Sequence, residues 1–366
     1  MNKKVHDRAK KLIINNVRNS YKEDDCIFLI KDISNKVQEI TVEEKEELVN
    51  KGISYSETLT KEELPSKEYL DIFLDELECK KTMIAKYIAN LSELILRDRG
   101  ENVILVSLAR GGTPAGILVK RYLKFKYNID VPHYSISVIR GRGLDFNALS
   151  YIIDFHKNDN LLFIDGWTGK GSITFEIEKS IKLYNELYHT NIKDELAVIL
   201  DPAELSTFYG TREDILLPNA CLNSTVSGLI SRTVDKKELI GEDSFHGAKY
   251  YKEYEKYDVS NLFIDTISNE FSKIELEELI TLEGKTNIAE ETLNYIMDKH
   301  RIADINKIKL SVGETSRVLL RRKAKLIIVK NLNSNEVRHI KLLAEEKGVS
   351  VIQDKNIKYN AIGIIE

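Results

Sequence analysis

Leu161-Leu-Phe-Ile-Asp165-Gly-Trp-Thr168-Gly-Lys170-Gly-Ser172 reads as a buried strand, a glycine-rich turn and the start of a helix. The apolar run delivers Asp165 to the carboxyl end of the strand, where a carboxylate can accept hydrogen bonds from sugar hydroxyls. Gly166, Gly169 and Gly171 let backbone N–H groups approach an anion without interference from a Cβ. Ser172 and Thr174 begin a helix whose first amides and dipole favour phosphate. Lys170 adds a point charge. The expectation is a phosphate cradle formed by Thr168, Gly169, Lys170, Gly171 and Ser172.

Working outward, the rhythm is β-α-β. Strands are expected over 103–108, 134–139, 161–164 and 195–200, with helices over 69–96, 114–125 and from 172 to 188. Strands alternating with helices imply a parallel sheet covered on both faces, with ligands outside the carboxyl ends of the strands. Ser107-Leu-Ala-Arg110-Gly111-Gly112-Thr-Pro114 repeats the strand, turn and helix plan. Arg110 could contact an anion there, and the Gly111-Gly112 backbone could approach it closely. Arg140-Gly-Arg142-Gly143 is a third loop able to reach an anion, and Asp201-Pro202 ends the next strand.

These loops, in this order, resemble those of the type I phosphoribosyltransferases. The resemblance implies that residues 1–275 form a phosphoribosyltransferase-like α/β domain. It implies PRPP or a related phosphorylated sugar as ligand, Mg²⁺ carried with PRPP, and phosphoribosyl transfer as the reaction. Asp165 would bind the ribose, Arg110, Gly111 and Gly112 the pyrophosphate, and residues 168–172 the 5′-phosphate. Gly166 stands where that family has a second acid.

The runs Gly210-Thr-Arg-Glu-Asp-Ile-Leu-Leu-Pro-Asn-Ala-Cys221-Leu-Asn223-Ser-Thr-Val-Ser-Gly228 and Phe245-His246-Gly-Ala-Lys249 carry a closer likeness. They resemble a bacterial family of tellurium-resistance and stress-response operons that joins a phosphoribosyltransferase-like domain to a Pelota-type RNA-binding domain. That family is also named a StiP-type cysteine protease. The second name makes Cys221 a candidate nucleophile, His246 its base, and Asn223 or Asp243 an orienting group. A catalytically silent nucleotide- and RNA-binding protein is the third reading.

Beyond a charged, proline-free stretch at 272–286, the chain changes sign. Residues 285–366 carry 16 basic and 10 acidic side chains, whereas the preceding 284 residues carry 38 and 48. Such a reversal suggests a separate domain with an anionic partner. A helix over 314–322, a strand over 326–329, a helix over 335–347 and a strand over 349–352 resemble the small α/β/α Pelota and L7Ae-type RNA-binding fold. Gly313, Glu314, Arg317, Arg321, Arg322 and Lys330 are the positions that the resemblance assigns to RNA.

The remaining composition excludes several classes. Apolar runs are far shorter than the roughly 20 residues that span a bilayer, and no apolar segment follows the charged N-terminus. Three scattered cysteines make neither a disulfide framework nor a zinc site. A cytoplasmic enzyme without a protein-held metal or a membrane partner is expected.

Overall fold

The computed structural model describes residues 16–366, apart from 42, 43, 45, 46, 49, 50, 53, 55, 56 and 242. The charged sequence at 42–49 suggests a helix, and most of it, with Tyr55 and Ser56, lies outside the described residues.

Six parallel strands form the main sheet: β1 (Ile27–Phe28), β2 (Ile104–Leu108), β3 (His133–Ile136), β4 (Leu161–Trp167), β5 (Leu196–Leu200) and β6 (Phe208–Thr211), in the order β1-β3-β2-β4-β5-β6. Continuous apolar sequence in β2, β4 and β5 follows from burial on both faces. Leu105, Leu162, Ile164, Ala197 and Ile199 point into one core with α1 (Lys67–Arg99) and α2 (Gly112–Tyr127). Their neighbours Ile104, Val106, Leu161, Phe163, Leu196 and Val198 enter a second core with α3 (Phe146–His156) and α4 (Ser172–Tyr188). The period of two along each strand thus sorts side chains between two helical layers.

The expected α/β class and parallel sheet are present, with local differences. The strand expected over 134–139 stops at Ile136. Val138–Ile139 instead folds back on Gly143–Leu144 as a short antiparallel pair, because Gly141 and Gly143 take the positive φ angles a tight return needs. The strand through Asp165 runs on to Trp167, so Asp165 is paired within the sheet against Val198. The edge strands β1 and β6 were not legible as strands.

The C-terminal unit has a second sheet: β7 (Ile308–Leu310), β8 (Ala324–Val329), β9 (Val351–Gln353) and β10 (Ala361–Ile365), in the order β7-β10-β8-β9. Helices α5 (Ile288–His300), α6 (Val312–Arg321) and α7 (Arg338–Glu346) accompany it. Residues 274–286 are no loose tether. Leu276, Ile280 and Leu282 pack on the main core, and Arg212 donates to the Glu283 and Gly284 carbonyls at 2.9 and 2.7 Å.

The two units meet across a polar seam. Asp214, buried just beyond β6, accepts from the backbone N–H of Val312 at 2.8 Å and of Asn360 at 2.7 Å. Burial pushes its carboxyl up to about 7, against the pull of those N–H donors.

Candidate functional site

A cleft of about 340 Å³ opens where the carboxyl ends of β2 and β4 face the start of α6. Its floor is the expected cradle. Gly171 caps α4 with a φ of 85°, and Ser172, Ile173 and Thr174 present the helix start to the cleft. Gly112 must be glycine, since a Cβ there would lie 2.3 Å from the Ile164 carbonyl oxygen. At Gly111 a Cβ would meet the Asp165 carboxylate at 3.5 Å, an ordinary contact.

Several groups expected to be free for a ligand are already engaged. Thr168 donates its hydroxyl to Asp201 at 2.7 Å and accepts from the Ala203 N–H at 3.1 Å. Lys170 donates to the Ile305 carbonyl at 2.8 Å, and Arg110, in a left-handed backbone conformation, is paired with Glu62 at 2.8 Å. Asp165 accepts from the Gly166 N–H at 2.8 Å. Burial raises its carboxyl to about 6, with Arg317 opposing the rise and Glu314 adding to it.

The residues assigned to RNA divide between two environments. Gly313 is buried, a Cβ there lying 3.3 Å from the Trp167 indole, and Glu314 reaches over Gly169. The Arg317 guanidinium stacks over Trp167 at 4.4 Å from the ring centroid, and Arg321 donates to the Leu222 carbonyl at 2.8 Å. Helix α6 therefore turns Glu314, Arg317 and Arg321 toward the cleft and packs Gly313 against Trp167. Arg322 and Lys330 remain on the open surface. Trp167 is the residue that sequence reasoning passed over: a lone tryptophan inside a glycine turn is a signal of packing against something.

Cys221 closes a short 3-10 turn, Pro218–Cys221, next to the Leu222 carbonyl that Arg321 holds. It is 4% exposed. Burial, with Glu76, pushes its thiol up to about 12, while Arg321, Lys80 and Arg317 pull the other way. His246 stands elsewhere: its Nδ1 is 2.8 Å from the Ser137 hydroxyl, and its backbone N–H donates to Asp145. Asn223 accepts at its carbonyl from Ser227. The structure thus does not bring Cys221 and His246 together. Among the described residues, the thiol that faces an imidazole is Cys26, 3.9 Å from His133 Nε2. Both are sealed under α2, where burial lowers His133 to about 4 and raises the Cys26 thiol, so this pair packs rather than reacts.

A family profile described as "Tellurite-like stress resistance cysteine protease StiP" matches residues 19–268. The chain belongs to the StiP family. A second profile, the PELOTA RNA binding domain, matches residues 287–366. The cysteine protease StiP of Acinetobacter baylyi is 28% identical over 377 residues, covering 98% of this chain and 97% of that one. These matches overturn the expectation of PRPP-dependent phosphoribosyl transfer: family and relative alike are named for cysteine proteolysis. Physical reasons agree, because the threonine and lysine of the turn and the arginine of the second loop are spent inside the protein.

Among the described residues no three His, Cys, Asp or Glu side chains are grouped to hold a metal. The two carboxylates of the cleft, Asp165 and Glu314, have Arg317 beside them, so a guanidinium already supplies the positive charge that Mg²⁺ would bring. No described helix is long and apolar enough to cross a membrane.

Proposed function

We propose that this StiP-family chain is a cysteine-dependent peptidase with Cys221 as nucleophile. The observation that carries the choice of cysteine is the contact beside it: the next residue's carbonyl is held by Arg321, whose side chain lines the cleft. Cys79 is exposed on α1 with no such setting, and Cys26 is sealed beneath α2.

In this reading the buried thiol is a resting form. Displacement of α6 would hydrate it and relieve the burial that holds its proton. Lys80, which stays in place on α1, then favours the thiolate, the part an imidazolium plays in other thiol enzymes. The thiol proton passes to water and the thiolate attacks the peptide carbonyl. The C–N bond breaks with protonation of the amine, and water hydrolyses the thioester. His246, held by Ser137 and Asp145, is proposed as a positioning residue for the loop after residue 240, rather than as the partner of Cys221.

The test is peptidase activity of the full chain on a peptide library, compared among Cys221→Ser, Cys26→Ser and Cys79→Ser. Cys221→Ser should lower kcat/KM by about a thousandfold or more, with the other two near wild type. Persistence of cleavage in Cys221→Ser, or none by the wild type, sinks the reading.

The domain division 1–275 and 285–366 goes with this proposal, supported by the two profile matches. A phosphoribosyltransferase-like architecture is proposed for the first domain and a Pelota/L7Ae-like α/β/α sandwich for the second, as folds and not as a reaction. The second domain would bind RNA through its outer face, with Arg322 and Lys330 on phosphates. Charge reversal at both should weaken binding of single-stranded RNA. It should also flatten the dependence of log K on log salt by about 1.4, one unit of roughly 0.7 per lost phosphate contact. An unchanged salt slope would count against this face. Mg²⁺, if it takes part, would come with a phosphorylated ligand, held by that ligand's own oxygens.

A further inference from the structure

The backbone of the turn that ends in Cys221, Pro218–Cys221, is fixed at both ends. Proline at its first position presets φ for the turn. The Ala220 N–H donates to the Leu217 carbonyl at 2.8 Å, and the Leu222 N–H closes on the Asn219 carbonyl at 3.4 Å. Beyond the thiol, Arg321 holds the Leu222 carbonyl, and Glu62 accepts from the Ser224 N–H at 2.6 Å. The turn packs on both α1 and α6, and the α1 side stays in place when α6 moves away.

One side chain of this turn is idle. Asn219 is 5% exposed, and its Oδ1 is buried without a hydrogen-bond partner among the described residues. Asparagine in a turn ordinarily bonds to nearby backbone. Here the N–H groups of Ala220, Leu222 and Ser224 are taken by other acceptors. The turn is therefore complete without the carboxamide, which does not brace it. A buried polar atom left unpaired carries its whole desolvation cost. A group from outside the protein is one way of satisfying it.

Asn219 and Cys221 stand two positions apart. With three residues per turn and a rise of about 2 Å per residue, their side chains leave the axis about 120° apart and about 4 Å along it. Positions that flank one another in this way leave room for a carbonyl group between sulfur and carboxamide. Rotation about χ2 exchanges Oδ1 and Nδ2, so the orphaned end serves equally as a donor. We propose that Asn219 is a catalytic residue of the Cys221 reaction, donating from Nδ2 to the oxygen of the carbonyl under attack. The inference rests on Cys221 as the nucleophile. When the thiolate adds, the C–S bond forms and the carbonyl π pair moves onto oxygen, where the Nδ2–H meets it. As that pair returns, the C–N bond breaks and the amine leaves with a proton from water. A donor fixed in place beforehand stabilises the new charge without reorganising as it forms. Lys80 favours the thiolate; Asn219 acts on the charge that the thiolate passes to the substrate.

The test compares two reactions of the same thiol in the full-length chain. Peptide hydrolysis forms an oxyanion, whereas iodoacetamide loses iodide from a saturated carbon and forms none. Asn219→Ala should lower kcat by about a hundredfold or more, with KM changed by less than about threefold. The alkylation rate of Cys221, followed by mass spectrometry, should stay unchanged. Asn219→Gln should recover part of kcat by returning a carboxamide. Asn219→Asp, close in shape, serves if the alanine form does not fold, and should lose at least as much because a carboxylate repels the oxyanion. A peptide aldehyde, whose hemithioacetal presents the same oxygen, should bind Asn219→Ala more weakly by a similar factor. An unchanged kcat, or equal losses of hydrolysis and alkylation, overturns the role of Asn219 and leaves Cys221 standing. Absence of hydrolysis by the wild type overturns both together.

Discussion

Ser311, the residue that caps α6, has a φ of 89° and a ψ of 156°, a region occupied almost only by glycine. Its hydroxyl accepts from the Glu314 N–H at 3.3 Å, a long bond that recovers little. Replacement by glycine removes a strain of order 1–3 kcal/mol and sacrifices a few tenths in capping. Ser311→Gly should therefore raise the unfolding temperature, read by calorimetry; a fall would mean that the cap outweighs the strain. Single residues were also where the sequence was most informative. Gly112 and Gly171 stand at the helix starts where the spacing put them, because turn chemistry is local, whereas Asp165 lies inside a strand that runs on to Trp167. Asp214 was invisible for the opposite reason. Its partners lie 98 and 146 residues farther along the chain, and nothing near Asp214 in sequence announces them.

At the level of elements, β2 and β4 with the helices that follow them were legible, since buried parallel strands carry unbroken apolar runs. The edge strand β6 was not, because Phe208-Tyr-Gly-Thr211 is short and has a glycine in its middle. Helix α2 approaches β4 closely at Gly112. A methyl group there meets backbone, which cannot move aside as a flexible side chain would. Gly112→Ala should lower stability by about 1–3 kcal/mol through overpacking, measured by denaturant unfolding. A neutral result would mean that α2 can slide on the sheet. The direction in which α6 faces was not legible in the sequence. Its basic residues read as an RNA surface, and its period of 3.6 says that they share a side; only the packing of Gly313 on Trp167 reveals that this side is turned inward.

For the molecule as a whole, the seam between units should respond to pH through Asp214. Its folded-state carboxyl, about 7, lies above the ordinary value of 3.8, so the folded protein binds more protons than the unfolded chain between those limits. Stability from this group is therefore complete below about pH 4 and is lost as pH rises through about 7. Asp165, raised to about 6, acts in the same direction. Thermal unfolding between pH 4 and 8 should lose more stability with rising pH in the wild type than in Asp214→Asn. Parallel pH profiles would show that the carboxylate does not govern the seam.

Trp167 gives the seam one more property. It is the single tryptophan of the chain, and it lies between Gly313 and the Arg317 guanidinium from the opposite unit. Its fluorescence is thus a natural gauge of the join: parting the units would bare the indole to water and redden its emission, with no label attached.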